Sequence, residues 1–334
     1  MREIPTEKIL IYVVGLGLAA AAAPFIDRIP RANAKNWYWH PIFVVVAFAV
    51  ILLLPRDIKH EFFSPGGVIV IGTLLPVYES IGAVCSIEKT DDRDWLQYFI
   101  ASASFSFATE FMDDITQYLP AAGAHWYEFE FFFLLWLWLP ITDGAGLLYR
   151  YITVPLLAPI AKKLAARCEG YIGILLTIVN SSYIYILWFV FLRLPEAARR
   201  FVVVALGTVY PIAASTVALT TQDKSHDDTT WLSYWISFSL LFLAMDYLEN
   251  FVGKIPGFYS LCAVATVYLF LPLFGGAEVV LRRVWVPLSG QYEALLLRDA
   301  HRVRENMLQS VPASQRDRIM QKTAELFSKF NKES

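Results

Sequence analysis

The sequence predicts an all-α, polytopic membrane protein made of tandem hairpin-type repeats, each followed by an interfacial amphipathic helix. Three observations carry that reading. Of the 334 residues 57% are hydrophobic and only 17% charged, with a mean hydropathy of +0.48, whereas a soluble domain carries about 25% charged residues. Apolar segments recur at 9–25, 41–54, 68–86, 95–111, 127–139, 171–192, 201–220, 231–247 and 258–271. Helix is their default because hydrocarbon offers no partner to an unpaired backbone group. The third observation is that one block is written twice.

The first copy runs from Gly72 to Leu156 and the second from Gly207 to Leu288. Gly72-Thr-Leu-Leu-Pro76 returns as Gly207-Thr-Val-Tyr-Pro211, and Ser80 as Ser215, at an offset of 135. The acidic box around Asp91, Asp92, Trp95 and Tyr98 returns at 136 as Asp227, Asp228, Trp231 and Tyr234. Pro140, Gly144 and Pro155 answer to Pro272, Gly276 and Pro287 at 132, with the length change confined to the stretch around 121–125. A repeat of this length is one domain used in tandem rather than a solenoid.

These residues carry a resemblance. Pro76-Val-Tyr78, the Asp91-Asp92…Trp95-Leu-x-Tyr98 box, Glu110-Phe111, the Leu134-Leu-Trp136-Leu-x-Leu-Pro140 run and Gly144-Ala145…Tyr149…Pro155 form one pattern. It resembles the receptor expression-enhancing protein family, also called deleted-in-polyposis, with yeast Yop and plant abscisic-acid-induced relatives. The second copy follows it more loosely through Tyr210-Pro211, Asp227-Asp228, Trp231, Tyr234 and Gly276. The family's Tyr-Pro-x-Tyr is split, since Leu75 replaces the first tyrosine in copy one and Ala213 the second in copy two. The resemblance implies a non-enzymatic protein of the endoplasmic-reticulum membrane that shapes tubules, its C-terminal tail cytoplasmic. The partners it implies are the lipid bilayer and further copies of itself or other membrane-shaping proteins.

Four regions follow: an extra membrane segment and loop over 1–36, a first repeat with its interfacial helix over 37–170, a second over 171–300, and a polar basic helical tail over 301–334. The 9–25 segment is read as retained in the membrane, because the residues before it have little net positive charge for a signal peptide. Several apolar segments are short: 13 or 14 residues of helix reach about 20 Å against a hydrocarbon core of roughly 30 Å. Such helices thin the bilayer, tilt, or weight one leaflet, which is the sequence form of a wedge.

In the second copy Leu281, Trp285, Leu288, Tyr292 and Leu295 recur at helical spacing, with Arg282, Arg283 and Arg298 mostly on other faces. That suits a curvature-generating helix in the headgroup plane, kinked at Pro287; the alternative is a helix packed on the bundle. The equivalent stretch over 144–164 is apolar nearly all round. In the tail, Ser314-Gln-Arg-Asp317 resembles a capping box opening a further helix. With the acidic boxes and tail on one side, 20 of the 28 lysines and arginines lie there, in agreement with the positive-inside rule.

Candidate chemistry is sparse. Glu110 and Asp113, and Asp246 and Glu249 at matching positions, lie one helical turn apart late in membrane segments. Intramembrane acids are candidates for function by default, but the plainer reading is that they hydrogen-bond helix ends. The aspartates of the two boxes complement helix N-termini, and their aromatic residues belong to the interfacial belt, so anchoring is preferred to ligand binding. Five scattered histidines and three cysteines without paired spacing support neither a metal centre nor a disulfide framework. No nucleophile–base arrangement or Gly-rich cofactor loop is present, and a net charge of −2 gives no pointer to nucleic acid. The competing functions are a trafficking adaptor, or a channel or transporter of parallel repeats.

Overall fold

The structure, a computed structural model, describes residues 39–86, 90–110, 125–179, 181–220, 225–253, 255, 257–271 and 274–310. The expected 9–25 segment, Asp113, the tail beyond 310 with its capping box, and the side chains of Glu110 and Asp227 lie outside them. Among the described residues every regular segment is helical and none is a strand. The all-α expectation holds.

Each copy opens on a peripheral apolar helix, α1 (Trp39–Leu53) in the first. After a short α2 (Arg56–Phe62) comes a long helix, α3 (Pro65–Cys85), and then α4 (Thr90–Glu110) returns antiparallel. The shorter α5 (Trp126–Trp138) precedes a tight turn into α6 (Gly144–Leu148), a π-helical segment (Tyr149–Leu157) and α7 (Ala158–Val179). Copy two repeats the plan as α8 (Tyr183–Arg193), α9 (Glu196–Thr220), α10 (Ser225–Val252) and α11 (Phe258–Phe270). It then runs through α12 (Gly276–Val280), a π-helical segment (Leu281–Trp285), α13 (Val286–Ser289) and α14 (Tyr292–Ser310).

Proline sets the punctuation. α1 and α8 stop at Leu54-Pro55 and Leu194-Pro195, and α5 and α11 at Leu139 and Leu271, whose ψ of 124° and 119° is the extended backbone a following proline demands. Four residues on, Asp143 (φ 46°) and Gly275 (φ 55°) take the same left-handed turn. Gly144 and Gly276 then press against the preceding helix: a Cβ on Gly144 would sit 2.6 Å from the Trp136 ring, and one on Gly276 2.2 Å from the Tyr268 carbonyl.

The long helices bring the two copies together. α4 packs against both α9 and α10, and α3 packs against α10. Val77, Ile81, Leu96 and Ile100 of copy one share a single core with Leu232, Ile236, Leu269 and Leu281 of copy two. α7 lies along α9 through Ala161, Ala165 and Ala213, whose small side chains allow close backbone approach. α7 passes unbroken through 170/171 and α14 through 300/301. The 171–192 segment is two helices, not one.

Among the described residues four helices are long and apolar enough to cross a membrane: Pro65–Cys85, Gly144–Cys168, Glu196–Thr220 and Asp228–Val252. Trp39–Leu53, Tyr183–Arg193 and Phe258–Phe270 are shorter apolar helices, and large apolar side chains face outward along α1 and almost all of α8.

Candidate functional site

The repeated motif residues converge on one device. A proline within a helix has no N–H for the carbonyl four residues earlier, so Pro76 strips the Gly72 carbonyl and Pro211 strips that of Gly207. In copy one the Tyr98 hydroxyl donates to the Gly72 carbonyl at 2.6 Å; in copy two Tyr234 donates to that of Gly207, also at 2.6 Å. The box tyrosine thus supplies, from the next helix, the bond that the motif proline removes. Both tyrosines are about 1% exposed, where an unmade backbone bond is costly. Glycine keeps both sites close-packed, since a Cβ at Gly72 would meet Leu134 of α5 and one at Gly207 would meet Phe238 of α10.

Copy one carries a further step. Its helix widens to a π turn over Val70–Leu74, so the Leu75 N–H bonds the Val70 carbonyl and passes over that of Ile71. The Trp138 indole donates to Ile71 O at 3.1 Å. Trp136 in the same run donates to Nδ1 of His40 at 3.2 Å, fastening α1. In copy two Tyr210 packs its ring on Trp231 and Phe270, with centroids 5.9 and 5.5 Å away.

The acidic boxes meet at the seam between copies. Asp91 and Asp92 lie in the first turn of α4, as a helix N-terminus favours, but Asp92 is only 2% exposed. Its Oδ2 accepts from Thr229 Oγ1 of the opposite box at 2.6 Å. Arg93 and Tyr149 donate to the Leu219 carbonyl at 3.0 and 3.1 Å, capping the C-terminal end of α9 from copy one. Copy two reciprocates: the base of α14 packs on α3, with Leu295 and Arg298 both buried. Arg282 braces α14 through Asp299 at 2.7 Å and Glu278 at 3.0 Å, and the Asp299 carboxylate pushes the guanidinium pKa further up.

The acidic pair of copy two lies elsewhere, late in α10. Arg200, early in α9, pairs with Asp246 at 3.4 Å and with Glu249, while the Tyr259 hydroxyl donates to Glu249 at 2.9 Å. The acids therefore tie the starts of α9 and α11 to the end of α10. In the sequence their partner is marked only by Arg199-Arg200 opening an apolar helix. Among the described residues no group of three His, Cys, Asp or Glu side chains is placed to hold a metal ion.

The expected curvature stripe of copy two is revised. Leu281 and Leu295 are buried at 1% and 4%, Trp285 is half-buried, and only Leu288 and Tyr292 are exposed. The stripe fails for two reasons. The π segment before Pro287 breaks the 3.6-residue register, and Gly290 at φ 75° ends α13. The outward apolar face belongs instead to copy one, where Tyr151, Ile152, Val154, Leu156 and Ile160 are exposed around Pro155, with Lys162 and Lys163 beyond.

Fold and sites together define a polytopic helical membrane protein in which two repeats share one core. The chain belongs to the TB2/DP1, HVA22 family, whose profile matches residues 76–156 and 211–288. It is 34% identical over 104 residues to Protein YOP1 of Saccharomyces cerevisiae, covering 31% of this chain and 56% of that protein. It is 40% identical over 86 residues to Protein yop-1 of Neurospora crassa, covering 26% and 50%. HVA22-like protein d of Arabidopsis thaliana is 32% identical over 103 residues, covering 31% of this chain and 76% of that protein. The chain thus spans about half the length of the two fungal relatives. No solved structure matches it.

Proposed function

We propose that this protein bends and stabilises tubular endoplasmic-reticulum membrane without catalysis, its C-terminal tail on the cytoplasmic side, alone or with further copies and other membrane-shaping proteins. The observation that carries this is unequal helix length: α5 and α11 have 13 residues each, against 25 in α9 and 28 in α10. At 1.5 Å per residue the short helices reach about 20 Å of a core of roughly 30 Å, so the bundle occupies the two leaflets unequally. Lying along the bilayer surface rather than across it, the exposed face at Tyr151, Ile152, Leu156 and Ile160 adds area to one leaflet. Each large apolar side chain buried there is worth about 1.5–3 kcal/mol, enough together to hold the segment in lipid.

The test is tubule yield from liposomes at matched protein density. Changing Tyr151, Ile152 and Leu156 to glutamate should leave the bundle inserted and lower the yield severalfold. Equal tubulation by the variant and the parent removes this face from the mechanism. For the copy-two pair, the engagement of Asp246 and Glu249 by Arg200 supports an architectural role over a channel or transporter.

A further inference from the structure

At the box end of copy one, α4, α5 and the turn into α6 line a half-open cavity of about 180 Å³. Its lining includes Trp95, Tyr98 and Trp138 with Pro140, and the carboxylates of Asp94 and Asp143. The Trp95 and Trp138 rings stand 6.4 Å apart at 31°, and Tyr98 is edge-on to Trp95 at 5.9 Å and 80°. Tyr98 is about 1% exposed and backs the site, so the faces open to a cation are those of Trp95 and Trp138, with two acids beside them; aromatic faces attract a cation within about 6 Å.

The hydrogen bonding selects which cation. A primary ammonium needs several acceptors to replace its water. Here the Trp138 indole and the Tyr98 hydroxyl donate away, to Ile71 and Gly72, and Asp143 already accepts from the Gly146 N–H at 3.2 Å and from Arg150 at 3.0 Å. A quaternary ammonium, having no N–H, asks only for negative charge and ring faces. The site lies where α4 begins and α5 ends, among interfacial tryptophans, at the depth of lipid headgroups. Arg150, paired with Asp143, supplies positive charge beside it for a phosphate.

We propose that this cavity binds the choline headgroup of a phosphocholine lipid in the leaflet that meets the acidic-box end. Copy two retains Trp231 and Tyr234 but has Thr230, Phe270 and Gly275 where copy one has Asp94, Trp138 and Asp143. Both carboxylates and one indole are missing there, so the chain holds one such site. This inference rests on reading that end as a bilayer surface, and not on membrane bending.

The full chain in flat nanodiscs of equal phosphatidylcholine and phosphatidylethanolamine, followed by native mass spectrometry of retained lipid, tests it independently of tubulation. One phosphatidylcholine should be retained per chain, with about fivefold or greater preference. Choline chloride should displace it and ethanolamine should not. Asp94→Thr with Asp143→Gly, which installs residues copy two already folds with, should abolish the preference. Thr230→Asp, Phe270→Trp and Gly275→Asp in copy two should raise retention to two. No preference in the parent, or a preference that survives the copy-one substitutions, overturns the proposal.

Discussion

Thr229 of the second repeat donates its hydroxyl to the carboxylate of Asp92 in the first, 137 residues away and at 2.6 Å. Both residues are buried, at 8% and 2% exposure. A carboxylate out of water needs its hydrogen bonds, so this contact fixes how one repeat faces the other. Thr229→Val keeps the shape and removes the donor; it should cost about 1.5–3 kcal/mol. Asp92→Asn should cost less, since no charge is left stranded. Reversible unfolding in detergent measures both, and a silent Thr229→Val would show that the seam is held by packing alone.

The tyrosine–proline pairing predicts a coupled response in copy two, where α9 stays α-helical through Pro211. Tyr234→Phe leaves the Gly207 carbonyl bare and should lower stability by about 1–3 kcal/mol. In a Pro211→Ala background the restored N–H reaches that carbonyl, so the same change should cost much less. A double-mutant cycle reads the coupling directly. Additive costs would mean that Tyr234 acts through ring packing and not through its hydroxyl.

Two tightly packed glycines, Gly276 opening α12 and Gly72 within α3, should differ in sensitivity. Gly276→Ala drives a Cβ to 2.2 Å from a backbone carbonyl, which cannot step aside. At Gly72 the obstacle is Cδ1 of Leu134, the far end of a flexible side chain. Gly276→Ala should cost roughly 1–3 kcal/mol and Gly72→Ala less. Melting temperatures of the two variants at one detergent concentration give the order; a reversed order contradicts the geometry.

Arg200 should matter more than either acid it holds. Its loss leaves Asp246 and Glu249 one turn apart without their guanidinium, whereas Glu249→Gln keeps an acceptor for Tyr259. All three are partly exposed, at 25, 40 and 22%, so the effect of Arg200→Ala should be only about 1–2 kcal/mol. Asp246→Asn with Glu249→Gln should leave ion permeability of proteoliposomes unchanged. A flux that disappears in the folded double variant would favour a channel or transporter.

Much of this protein is legible in its sequence because the deciding interactions are local. Apolar runs of helical length, prolines that forbid the residue before them a helical backbone, and glycine at left-handed turns act over a few residues, and the 132–136-residue offset reveals the repeat without any fold in hand. Tertiary structure alone decided the rest, because those contacts join residues far apart in the chain. Nothing local says that Tyr98 serves Gly72, or that Asp92 faces a threonine of the other copy while Asp91 stays partly exposed. The curvature stripe shows the same limit within one segment. Counting by fours assumes an unbroken α-helix, but the wider turn before Pro287 and the reversal at Gly290 rotate Leu281 and Leu295 into the core and leave Leu288 and Tyr292 outside. Periodicity assigns a residue to a face of its own helix; the direction in which that face looks is set by the helices packed against it.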